Sequence, residues 1–195
     1  MRKTFLCSLI LLVWGATANA QDLYSKVDIF AGYSYFSASP KTDRIPDPVF
    51  AGRINQHGFG ANLSFNISER IGVVADFSNQ TADKTIIGLN TDTATLLYLF
   101  GGRFYARSEG IKAYAQALIG GARRRAFSKS VDISAVDLAL AFGGGVEVDI
   151  NKRFGFRMVE FDYVPTRGGD GTLGIGRRWS QNFRAEAGLV LRFGY

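Results

Sequence analysis

The sequence predicts an all-β fold: an eight-stranded antiparallel up-and-down transmembrane β-barrel, preceded by a cleavable signal peptide. Three observations carry this expectation. Eight segments alternate with period two, the links between them are short and long in strict turn, and the polar face is made of small residues. Composition agrees with the pattern. Of 195 residues, 23 are glycine and 16 phenylalanine but only 4 proline, a mixture that suits twisted strands better than helices. With 47% hydrophobic residues and a mean hydropathy of +0.03, a disordered tail protein is excluded. A helical membrane protein is excluded too, because the long uninterrupted apolar run is confined to residues 1–20.

That first run reads as a secretory leader. Arg2 and Lys3 form a basic start, Phe5 to Trp14 an apolar stretch, and Ala18-Asn19-Ala20 a small-x-small cleavage site. The apolar stretch falls short of the roughly 18 residues that span a bilayer. The expected division is therefore residues 1–20 as signal peptide and residues 21–195 as the barrel domain. Cys7 leaves with the leader, so the mature chain has no thiol chemistry. Loss of Arg2 and Lys3, the leader's only charges, takes the formal charge from +6 to +4. So small a charge gives no reason to expect a nucleic-acid partner.

In chain order the strands are expected at Val27–Ser37, Gln56–Ile67, Ile71–Gln80, Thr91–Tyr105, Ile111–Arg124, Asp137–Ile150, Phe154–Val164 and Gln181–Tyr195. The second is the clearest, with His57, Phe59, Ala61, Leu63, Phe65 and Ile67 opposing Gly58, Gly60, Asn62, Ser64 and Asn66. A water-facing sheet would carry Lys, Glu and Thr on its polar face. Small residues with isolated charges suit a narrow lumen instead, and the aliphatic and aromatic face then meets lipid. Links at 68–70, 106–110 and 151–153 are tight, whereas those at 38–55, 81–90, 125–136 and 165–180 are long and hold all four prolines. The fifth strand is read with Ala113, Ala115, Ala117 and Ile119 toward lipid and Tyr114, Gln116 and Leu118 inside, with the reverse left open. In the seventh, Glu160 and Asp162 point inward and Arg157 outward, snorkelling at the inner rim.

Several stretches are similar to a known family. Ala31-Gly32-Tyr33-Ser34-Tyr35, Leu99-Phe100-Gly101-Gly102-Arg103, Ala115-Gln116-Ala117-Leu118, Ala141-Phe142-Gly143-Gly144-Gly145-Val146 and Phe183-Arg184-Ala185-Glu186-Ala187-Gly188 resemble small OmpA-like barrels of the outer membrane protein β-barrel domain (porin) family. The resemblance covers essentially the whole mature chain. It implies a barrel in a Gram-negative outer membrane, with both mature termini on the periplasmic side. It also implies a final-strand signal for the barrel-assembly machinery, carried by Glu186, Gly188, Leu191 and Phe193, although the chain continues through Gly194 and Tyr195.

Candidate chemistry is sparse. His57 is the only histidine, which excludes a multi-histidine metal site and leaves one base for any triad. Lipid-deacylating barrels carry His-x-Ser, whereas His57 is followed by Gly58-Phe59, so His57 reads as an interfacial residue. No catalytic, cofactor or metal site is expected. Asp76, Arg103, Glu147, Arg184, Glu186 and Arg192 form the expected lumen charge network, with Arg103–Glu147 the preferred pair. Such a network either fills and stabilises a plugged barrel or sets a gate, and filling is favoured because eight strands leave little space. Arg123, Arg124, Arg125, Arg177 and Arg178 gather at the outer rim, where they read either as guanidinium contacts to lipopolysaccharide phosphates or as a solvated loop charge run.

The function expected from these features is that of a non-enzymatic outer-membrane barrel with a structural, surface-interaction or narrow gated-permeation role. It would be a monomer with lipid, lipopolysaccharide and the assembly machinery as partners. A lipid-modifying or proteolytic barrel enzyme is the alternative, and a soluble periplasmic ligand-binding barrel is disfavoured by the apolar outer face.

Overall fold

The computed structural model describes residues 24–39, 53–86, 89–128, 131–167 and 179–195. The expected leader, Pro40, Pro46, Pro48, Arg177 and Arg178 lie outside them. Eight strands follow one another: β1 (Val27–Ala38), β2 (Ile54–Asn66), β3 (Ile71–Ile86), β4 (Leu89–Ser108), β5 (Ile111–Ser128), β6 (Val131–Asp149), β7 (Phe154–Arg167) and β8 (Trp179–Phe193). Each pairs antiparallel with the next, and β8 returns to β1 to close the barrel. Closure draws on glycine. Gly32 and Gly188 face each other across the β1–β8 seam, where a Cβ on Gly32 would lie 2.2 Å from the Ala187 carbonyl oxygen.

Tight turns at one end have local chemical causes. Gly110 takes φ 72° in the β4–β5 turn, a conformation that costs glycine little. Asn151 accepts from the backbone N–H groups of Arg153 and Phe154, both at 2.8 Å, and so folds the β6–β7 turn. Ser68 does the same for Arg70 and Ile71 between β2 and β3. The start of β1 and the end of β8 meet at this end as well, where the Lys26 N–H donates to the Phe193 carbonyl at 2.9 Å.

The opposite end differs from expectation in two links. Residues 81–90 and 125–136 are mostly strand, because β3 and β4 pair as far as Ile86–Leu89 and β5 and β6 as far as Ser128–Val131. Their polar alternation had suggested loop. Backbone pairing in a ladder needs no apolar face, so strand can extend where the apolar period that marks the other segments is missing. Pro165 also lies within β7, not in a link. The β6–β7 pairing skips from Ala139–Thr166 to Phe142–Tyr163 around it, as suits a residue without an N–H.

Alternation sorts the side chains into two environments. Phe59, Phe65, Phe77, Phe100, Phe104, Ile119, Phe142, Phe161 and Leu189 all point outward, Phe59 being 62% exposed. A continuous apolar exterior of this kind is insoluble in water and suits lipid. The fifth strand follows the preferred reading, with Tyr114, Gln116 and Leu118 buried.

Candidate functional site in the barrel lumen

All six residues of the expected charge network are inside. Asp76, Arg103, Glu147, Arg184, Glu186 and Arg192 are each at most 2% exposed. Their partners differ from expectation. Glu147 does not pair with Arg103; its Oε1 accepts from Arg157 Nη2 at 2.9 Å, and its Oε2 lies 3.4 Å from Arg192 Nη2. Arg103 instead reaches Glu160 at 3.4 Å and donates twice to the Gln116 side-chain oxygen, at 3.0 and 2.7 Å.

The cause is a bulge in β7. Arg157 pairs with Gly188 and Glu160 with Glu186, so Met158 and Val159 together oppose Ala187 alone. An extra residue reverses the strand's parity, and both Arg157 and Glu160 therefore face inward. Arg157 is 1% exposed, correcting the expectation that it snorkels outward. The sequence does carry a signal of this. Outward phenylalanines sit at even positions in Phe154 and Phe156 and at an odd one in Phe161, which requires a parity change between them.

Glu160 is the hub. Its Oε2 accepts from Arg157 Nη1 at 2.6 Å and from the Tyr114 hydroxyl, and its Oε1 from Gln116 at 2.8 Å. It also lies 3.3 Å from Arg184 Nη2. Arg184 in turn pairs with Asp76, with Asp162 at 2.7 Å and with Glu186 at 3.6 Å. The guanidinium of Arg157 lies 3.8 Å from the centre of the Phe30 ring, and that of Arg103 lies 4.0 Å from the Tyr114 ring. Such stacking suits the weakly hydrated faces of arginine. Toward the end with the tight turns, Lys112 lies 3.9 Å from Asp28, and Arg192 reaches Asp149.

Not all of the lumen is polar. Phe36, Val74, Leu97, Leu99, Leu118, Ala122, Ala139, Ala141 and Val164 form a buried apolar cluster, most of it on β4, β5 and β6. Sequence reasoning missed this layer. Along Leu96-Leu97-Tyr98-Leu99-Phe100 both faces of β4 are apolar, so nothing in the pattern separates inside from outside.

The rim arginines divide. Arg123 and Arg125 are exposed, whereas Arg124 turns inward, 3.2 Å from Asp137 and donating to Thr166. Successive strand residues point to opposite faces, so three consecutive arginines cannot share one surface. In the expected assembly signal, Glu186 faces the lumen, Gly188 sits on the seam, and Leu191 and Phe193 face outward. His57 also faces outward. Its Nδ1 bonds the Tyr33 hydroxyl, and its ring lies 5.3 Å from that of Tyr35. It cannot act with the lumen carboxylates from there.

A closed eight-stranded barrel with an apolar exterior and a filled polar interior defines an integral barrel of the bacterial outer membrane. The chain belongs to the outer membrane protein beta-barrel domain family, whose sequence profile matches residues 5–193. Among solved structures it is similar to Neisserial surface protein A, at 11% identity and a TM-score of 0.65, covering 87% of this chain and 98% of that one. It is also similar to Ail, the attachment invasion locus protein of Yersinia pestis, at 16% identity and a TM-score of 0.55, covering 87% and 100%. These likenesses are of fold. No match was found among curated protein sequences.

Proposed function

We propose that this is a non-enzymatic barrel with a sealed lumen, which acts through its outer end and its lipid contacts and not by conducting solutes. The observation that carries the reading is the packing of the lumen. Interlocked arginine–carboxylate pairs fill the side lined by β7 and β8, and a dry apolar cluster faces them from β4 to β6. An ion entering would have to part desolvated pairs and cross an apolar constriction, both of which oppose conduction. The outward position of His57, away from the lumen carboxylates, supports the absence of catalysis.

The mature protein begins after residue 20 on this reading. Both termini are periplasmic, beside the tight turns, and the strands extended past the lipid rise on the cell surface. Arg123 and Arg125, two positions apart on the outward face of β5, would meet lipopolysaccharide phosphates, while Arg124 is committed to Asp137. Glu186, Gly188, Leu191 and Phe193 would present the last strand to the assembly machinery, and the folded barrel would be a monomer. Planar-bilayer recording tests the central claim. Purified protein should leave the bilayer silent across applied voltages, and discrete conductance steps would refute a sealed lumen.

A further inference from the structure

The lumen charges balance everywhere except around Arg184. Among the described residues, Arg103, Arg157, Arg192 and Lys112 are matched by Glu160, Glu147, Asp149 and Asp28, and Arg124 by Asp137. Asp76, Asp162 and Glu186 remain, and Arg184 is the one guanidinium paired with them. Three carboxylates against one cation leave a formal excess of two negative charges, on groups that are at most 2% exposed. Unbalanced charge at that depth is costly.

The excess is localised on particular atoms. Arg184 takes Asp76 Oδ1, but Asp76 Oδ2 and both Glu186 carboxylate oxygens have no hydrogen-bond partner. Oxygens of Asp76, Glu160 and Glu186 lie within 4.8 Å of one another. Ligands each about 2.4 Å from a single calcium-sized ion are separated by no more than about twice that distance. A neutral residue gives an independent sign. Asn62 is 3% exposed, yet neither its amide oxygen nor its amide nitrogen is hydrogen-bonded. It stands directly across from Asp76 in the β2–β3 register, and the Glu186 carboxylate lies against Gly60, two residues along the same face. A buried amide unpaired at both ends, beside two carboxylates with unpaired oxygens, is a set of donors and acceptors that a shared ion satisfies.

We propose that the lumen binds one divalent hard cation, of the calcium or magnesium kind, between Asp76 and Glu186, with the Asn62 amide oxygen as a third protein ligand. Glu160, already serving Arg157, Arg103, Gln116 and Arg184, closes the far side of the site. The donors are all oxygen, with neither thiolate nor imidazole, which selects a hard ion. Its two positive charges equal the local excess. The proposal takes from the sealed-lumen reading only the dryness of the site. Conductance tests that reading and metal content tests this one, so the two fail separately.

The test uses the mature barrel, unfolded in urea with EDTA and then refolded into phosphatidylcholine vesicles in calcium chloride, in magnesium chloride or in EDTA alone, so that the ion can enter before the lumen closes. Bound metal is counted by plasma emission and the urea midpoint is followed in parallel. One equivalent should be retained by barrels refolded with metal, and their midpoint should exceed that of barrels refolded in EDTA. Glu186→Gln and Asp76→Asn should each abolish both responses. Should neither variant fold, Asn62→Ala, which removes no charge, should weaken metal binding by roughly 10–100-fold. A wild-type barrel that binds no divalent metal overturns the proposal, as does unchanged affinity in Asn62→Ala. Metal-independent stabilisation by Glu186→Gln would overturn it in favour of a proton already held on the carboxyl group.

Discussion

Two walls of the same lumen solve the problem of burial in opposite ways. On β7 and β8 the inward residues include Arg157, Glu160, Asp162, Arg184 and Glu186, each bound to at least one opposite charge. On β4, β5 and β6 the inward residues include Leu97, Leu99, Leu118, Ala139 and Ala141. The apolar residues supply no hydrogen bonds, so the arginines share carboxylates and the network draws its other partners from polar residues placed elsewhere on the same strands, Tyr114 and Gln116 on β5 and Glu147 on β6. The charged wall holds long side chains that fill the bore, so the facing wall must be partly small. Ala122, Ala139 and Ala141 meet that need. Each wall is intelligible only beside the other.

The two walls should respond differently to substitution. The largest loss is expected at the hub of the charged wall. Glu160→Gln leaves Arg157, Arg103 and Arg184 with one carboxylate fewer among them. Breaking a buried pair from one side costs about 3–5 kcal/mol. Urea unfolding in lipid vesicles measures it, and a loss below about 1 kcal/mol, as for surface pairs, would show that water reaches the network. Next is the apolar wall. Leu97→Ala removes a fully buried side chain and should cost about 2–5 kcal/mol, depending on how far the bore collapses. A Leu97→Ala barrel as stable as wild type would mean that the cluster is loosely packed and the two walls do not depend on each other.

The outer face supplies the control for both. Phe142 on β6 points away from the lumen, half exposed on the apolar exterior. Phe142→Arg should cost about 2–4 kcal/mol if the site lies near the bilayer midplane, and less toward either interface. An arginine tolerated in vesicles without loss would reverse the assignment of faces on β6.

How much of this was legible follows from the same contrast. In β2 and β8 one face is apolar and the other small or charged, and strand, face and buried residues could all be read from period two. In β4 the run Leu96 to Phe100 is apolar on both faces because one faces lipid and the other faces a dry lumen, and periodicity carries no sign there. In β7 the order of residues was readable, but the only sign of the bulge was the change of parity between Phe156 and Phe161. A single extra residue changed Arg157 from an outward anchor into the partner of Glu147 and Glu160. Six members of the charge network followed from residue type and parity, which sequence retains, whereas the hub Glu160, with Asp162 and Arg157, was not among them. The pairings depended on which side chains converge across the bore, and that is set by closure of β8 on β1.

The smallest effect is expected where the network meets water, and Arg192 shows it best because one guanidinium serves two acids. Its Nη2 lies 3.4 Å from Glu147, which is buried, and its Nη1 reaches Asp149, whose side chain is 34% exposed. By distance alone the Asp149 contact is the closer one. Solvent nonetheless screens it, and Asp149→Asn leaves an arginine that still has Glu147 and can borrow water at the rim. Its cost should stay within about 1 kcal/mol and shrink further in high salt. Glu147→Gln deprives both Arg192 and Arg157 of a carboxylate in a place that water does not reach, and its cost should be several-fold larger and insensitive to salt. Unfolding both variants at low and high ionic strength separates burial from distance as the governing variable. Equal costs with equal salt dependence would place Glu147 in contact with water and leave the inner mouth of the barrel open.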